Sequence, residues 1–149
     1  MEIRDVVLRP SYTSRGDETI EATVQVGSAS ATVTAPAGAS TGETEVVHLP
    51  KGGFNTVIVN FDKSKLIGVD ASDLKAVYEG LVKIGGSDRF EKIGGATAFS
   101  VSVASLVAEA LASGRKIFSL IGLEPTIPYP LGNVLGGGKH AGPGSPDIQ

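Results

Sequence analysis

The chain contains no cysteine, and that alone excludes a disulfide scaffold, a thiolate zinc site and a cysteine nucleophile. It has no unbroken run of about 18 apolar residues of the kind that spans a bilayer. Its first residues, Met1-Glu2-Ile3-Arg4-Asp5, are charged and form no apolar signal region. No basic stripe offers a footprint for nucleic acid, because acids and bases are interspersed around a net charge of −3. No basic amphipathic run marks a membrane surface. Aromatics are sparse at 5%, whereas glycine is abundant at 20 residues. Hydrophobic residues make up 41% of the chain and charged residues 19%, so a packed core is expected rather than a disordered chain. A soluble, cytoplasmic protein of one domain, or of one domain and part of a second, is the expectation for 149 residues.

The first third has strand periodicity. Ile20, Ala22, Val24 and Val26 alternate with Glu21, Thr23 and Gln25, and Ala29, Ala31, Val33 and Ala35 alternate with Ser30, Thr32 and Thr34. Gly27-Ser28 between them predicts a hairpin, and residues 3–8 predict a further strand. So small a sheet needs helices on one face. The middle of the chain supplies them. Phe54, Val57, Ile58 and Phe61 recur at helical spacing, with Gly68 as a stop. Ser72 is the expected cap of a second helix whose face carries Leu74, Val77, Tyr78 and Leu81, ended by Gly85-Gly86. A third helix, about 96–113, carries a stripe of Phe99, Val103, Leu106, Val107, Ala110 and Leu111. Ala104 and Ala108 make its other side apolar too, which predicts a central, buried helix. A short helix over 116–121 follows. Strands first and helices afterwards predict an α+β domain over residues 1–122. Residues 123–149, rich in Gly and Pro, predict an extended tail that cannot bury itself.

Two glycine-rich segments stand out. Ala37-Gly38-Ala39-Ser40-Thr41-Gly42 follows a strand, and it is either a plain flexible connection or a mobile lid whose Ser40 or Thr41 offers an oxygen to a ligand or a hard metal. Gly136-Gly137-Gly138-Lys139-His140-Ala141-Gly142 is either a loose tail or a wrap of amides around an anion. It is not a Walker loop, since Asn133 stands at the first glycine position and His140 follows the lysine. A hydrolase triad of Ser40, His140 and an aspartate lacks the Gly-x-Ser-x-Gly elbow. His48, among Val46, Val47 and Leu49, is expected at a strand edge rather than as a ligand.

Several segments in order resemble the enolase family. They are Ser14-Arg15-Gly16 with Thr19-Ile20-Glu21, the loop Gly38-Ala39-Ser40-Thr41-Gly42, Leu66-Ile67-Gly68-Val69-Asp70, Ile93-Gly94-Gly95-Ala96-Thr97-Ala98 with Val101-Ser102-Val103-Ala104, and the run from Pro128 to Gly142. The similarity extends from about Ile3 to Gln149. It implies an enolase N-terminal-like fold, a three-stranded antiparallel meander followed by a helical bundle. It also implies that residues from about Pro128 begin a β/α barrel that these 149 residues do not include.

Enolases interconvert 2-phosphoglycerate and phosphoenolpyruvate by loss of water, with Mg²⁺ ions offsetting the charge that builds when the proton is removed. By resemblance, Ser40 is the lid serine that binds the second Mg²⁺, Gly38, Ala39, Thr41 and Gly42 complete the lid, and His140 and Gln149 meet substrate. The base and the acid belong to the barrel, so the 149 residues alone are expected to be inactive. A homodimer is implied. The sequence departs from the family pattern at Asp17-Glu18, His48-Leu49-Pro50, Gly95, Thr97, Gly136 and Pro143. The competing class is a non-catalytic enolase-like module for binding or assembly.

Overall fold

The computed structural model describes residues 1–38, 42–122, 126–134, 136–137 and 142–145. Three strands open the chain: β1 (Ile3–Tyr12), β2 (Glu18–Val26) and β3 (Ala29–Thr34). They form an antiparallel sheet in the order β1-β2-β3. Gly27, at φ +56, supplies the positive dihedral that the two-residue hairpin between β2 and β3 requires. The central strand buries Ile20, Ala22, Val24 and Val26 on one side, as the alternation predicts.

In β1 the buried residues are Ile3, Val6 and Leu8, an odd position followed by even ones. A register shift between Ile3 and Asp5 accounts for the change of phase, since an inserted residue turns the following side chains over. Pro10 is accommodated in β1 because that strand lies at the edge of the sheet.

The helical layer comprises α1 (Gly53–Asn60), a single 3₁₀ turn (Lys63–Lys65), α2 (Leu74–Gly85), α3 (Gly94–Ser113) and α4 (Phe118–Ile121). α1 stops at Asn60, well short of the expected Gly68. Gly68 instead turns the chain at φ +84 and donates its amide to the carbonyl of Ile3 at 2.9 Å. The cap of α2 is Asp73, whose carboxylate accepts from the Ala76 amide. Ser72 uses its hydroxyl on Asp70 and so is unavailable for the predicted capping role. On α2, Val77 and Leu81 are buried as expected, while Leu74 and Tyr78 are exposed.

α3 lies across β2 and β3 mainly by its small-residue side; of the predicted stripe, Ala110 is buried and Val107 packs against the core. Ala96, Thr97, Ser100, Val101, Ala104, Ser105 and Ala108 are buried, whereas Phe99 and Leu111 are 45% and 61% exposed. The cause is distance. Small side chains let the helix axis approach the sheet, and Ser100 Oγ reaches the carbonyl oxygen of Ile20 at 2.8 Å. A stripe of Phe and Leu would hold the two layers apart and leave that carbonyl without the serine. By length and composition α3 could also cross a membrane, with a mean hydropathy of 1.5. Its small-residue face is packed on the sheet instead, so it serves as a core helix.

Beyond α4 the described residues contain no helix or strand. Ile127, Tyr129, Leu131 and Val134 there are all at least 95% exposed.

Candidate functional site

A cavity of about 820 Å³ opens at the end of the sheet where β3 gives way to the following loop. Arg15, Asp17, Gly38, Glu45, His48 and Phe99 are among the residues around it. Four pieces of chain build it.

The first is the tight turn between β1 and β2. Thr13 closes it, with its amide on the Asp17 carbonyl at 2.8 Å and its hydroxyl accepting from the amides of Arg15 and Asp17 at 3.2 Å each. Gly16 takes φ +83 there. The second piece is the end of β3. Thr19 Oγ1 donates to the Ala35 carbonyl at 2.9 Å, and the Ala35 amide donates to the Ile20 carbonyl at 3.0 Å. Both bonds bind the start of β2 to the exit of β3, so the direction in which Pro36, Ala37 and Gly38 leave is set by the sheet.

The third and fourth pieces are the segment 42–50 and the N-terminus of α3. The amides of Gly95 and Ala96 donate to the carbonyls of Val47 and His48 at 2.8 and 3.0 Å. Loop carbonyls thus satisfy helix donors that have no partner within the helix and no capping side chain. This needs very close approach. A Cβ at Gly94 would stand 2.5 Å from the His48 oxygen, and one at Gly95 would stand 2.6 Å from Val46 Cγ2. The Gly94-Gly95 pair is therefore required by contact with the loop.

His48 is not at a strand edge. It lies in the loop beside the cavity, with Nε2 buried and without a hydrogen-bond partner among the described residues. Arg89 reaches the Glu45 carbonyl at 3.5 Å and holds the same loop from outside.

Of the predicted site residues, Gly38 lines the cavity and Gly42 lies at the start of the returning loop, where its carbonyl accepts from the Glu45 amide at 3.2 Å. Ala39, Ser40, Thr41, His140 and Gln149 lie outside the described residues. The sequence reading missed Arg15, Glu45, His48 and Phe99 as a group. The usable signal was Arg15 itself, an arginine beside Gly16 in the short stretch between two strand patterns.

Among the described residues no three His, Asp or Glu side chains gather to hold a metal ion. Magnesium requires an octahedron of oxygens, so the described part of the chain does not form a magnesium cage.

An α+β domain with a loop-framed cavity at one end of its sheet is the class that fold and geometry define. Residues 3–121 match the family model described as "Enolase, N-terminal domain", and the chain belongs to that family. Proteins named enolase are similar along nearly its whole length. That of Methanosphaera stadtmanae is 42% identical over 99% of this chain, and that of Methanothermobacter thermautotrophicus is 40% identical over 99%. That of Thermoplasma acidophilum is 43% identical over 95%. The chain spans 36–37% of the length of these three relatives.

Proposed function

We propose that this chain is the N-terminal cap of a phosphopyruvate hydratase that dehydrates 2-phospho-D-glycerate to phosphoenolpyruvate in the cytoplasm. The observation that carries this reading is the cavity at the exit of β3, with Gly38 on its wall and Ser40 two residues further along, in a chain about 40% identical to proteins named enolase. In this reading Ser40 adds one oxygen to a Mg²⁺ ion whose other ligands are not among the described residues. Ala39, Thr41 and Gly42 complete the lid, and His140 and Gln149 meet the substrate. Residues 123–149 begin a second domain. The full exposure of Ile127, Tyr129 and Leu131 supports that division, because such side chains gain by burial against another layer. The active species is a homodimer, and the 149 residues alone are inactive.

The test is made on the full-length product of the gene. It is expected to form phosphoenolpyruvate, measured by its ultraviolet absorbance, in a magnesium-dependent reaction. Ser40→Ala is expected to lower turnover and raise the Mg²⁺ requirement. Loss of even an outer-shell partner of a metal site costs on the order of 10–100-fold in affinity or activity, and loss of a ligand oxygen is expected to cost no less. An unchanged Mg²⁺ titration in the variant removes Ser40 from the role. A full-length product with no hydratase activity replaces the enzyme with a binding module.

A further inference from the structure

Arg15 is half exposed, yet its guanidinium is committed to backbone rather than to solvent. Nη2 donates to the carbonyls of Ala37 and Gly38, each at 2.9 Å, while Nε stands 3.5 Å from Asp17 Oδ2. The acceptors are carbonyls the sheet has abandoned. The β2–β3 ladder ends at Glu21 and Thr34, and Pro36 brings no N–H of its own. The donor arises from the turn that Thr13 and Gly16 hold in one shape. An exposed ion pair with Asp17 alone contributes little to stability. Two bonds from one nitrogen to consecutive carbonyls do something different, because they fix a direction of chain.

We propose that Arg15 is a positioning residue that clamps the backbone at Ala37 and Gly38 and so fixes the point from which the chain departs toward Ser40. This rests on the role given to Ser40 above. An arginine suits the task because its planar fork serves two carbonyls from one nitrogen while another nitrogen faces a carboxylate. An ammonium is a point charge and cannot hold all three in one plane.

The experiment is ¹⁵N relaxation on the chain itself in three forms: unaltered, Arg15→Met and Arg15→Lys. A rigid backbone gives an order parameter of about 0.85 and a flexible one falls below about 0.6. The Ala37 and Gly38 amides are expected at the rigid value in the unaltered chain and at the flexible value in Arg15→Met. Arg15→Lys is expected in between, and the Ala22 and Val24 amides of β2 are expected unchanged throughout. Unchanged order at Ala37 and Gly38 in Arg15→Met overturns the clamp. Equal loosening at Ala22 and Val24 also overturns it, since that marks a general structural role. Should Arg15→Met fail to fold, Arg15→Lys carries the same comparison. In the full-length product, Arg15→Met is expected to raise the Mg²⁺ concentration for half-maximal rate several-fold, with the rate at saturating Mg²⁺ retained. A local loosening in Arg15→Met together with an unaltered Mg²⁺ titration in Ser40→Ala refutes the functional reading and leaves the clamp standing.

Discussion

Where the chain starts, one ammonium meets two carboxylates. The amine of Met1 stands 2.9 Å from Asp70 Oδ1 and 2.7 Å from Glu109 Oε2, and Glu109 is 5% exposed on the packed side of α3. Hydrogen bonds to Glu109 first, and then to Asp70, raise the amine above its ordinary 8.0. Asp70 is lowered to about 2, chiefly by the backbone amide of Ser72 and next by the ammonium. The signs follow by linkage. The amine contributes its full stabilisation below pH 8.0 and loses it as pH rises through the higher folded value. Asp70 contributes above pH 3.8 and loses its share as pH falls toward 2. A thermal melting series across pH is therefore expected to show a plateau near neutrality with losses on both sides. Asp70→Asn should lower the plateau and shrink the acid-side loss; an acid limb of unchanged depth contradicts the assignment. None of this was legible in the sequence. Glu109 reads there as a lone acid in an apolar helix, and its partner is 108 residues away.

At the scale of elements, helical spacing located α3 and its Ala104 and Ala108 side, but it put the exposed Phe99 and Leu111 on the main apolar stripe. Hydrophobicity alone favours Phe99 and Leu111, whereas the sheet selects by shape. A helix that must bring Ser100 within 2.8 Å of Ile20 can place only small groups between. The consequence is measurable by urea unfolding. Ala104→Leu, at a position with no exposure, is expected to cost about 1–3 kcal/mol by overpacking. Leu111→Ser is expected to stay within about 0.5 kcal/mol. The reverse order of costs would restore the stripe read from sequence. β2 and β3 were legible almost to the residue, because alternation survives where a strand lies central or in a tight hairpin. The far half of β1 was not, because Arg9, Pro10 and Ser11 carry no apolar alternation and a proline argues against a strand. The Asp73 cap was hidden by Ser72, an equally good capping residue one place earlier.

At the scale of the whole molecule, the order of elements and their pairing into a sheet backed by helices could be read from periodicity. The cavity could not. It is made by carbonyl contacts between the loop 42–50 and α3, and backbone contacts leave no side-chain pattern. Their trace is the Gly94-Gly95 pair, whose meaning appears only when the distances to His48 and Val46 are known. The segment after α4 carries a prediction of its own. Its described residues add no helix or strand, and the described apolar side chains Ile127, Tyr129, Leu131 and Val134 are solvated. Ending the chain after Gly122 is therefore expected to leave the urea midpoint unchanged. A loss above about 1 kcal/mol would show that the removed residues support the core.

The Arg15 bond to Ala37 also bears on the order in which the molecule assembles. It joins residues 22 apart, whereas the Ser100 bond to Ile20 closes a span of 80. The longer closure costs roughly 1 kcal/mol more in chain entropy. A hairpin forms within about 1–10 μs, well inside the time a small domain needs to fold. The turn and the strand end it grips are therefore expected to meet before α3 docks, so that the helix closes onto a sheet whose exit is already aimed.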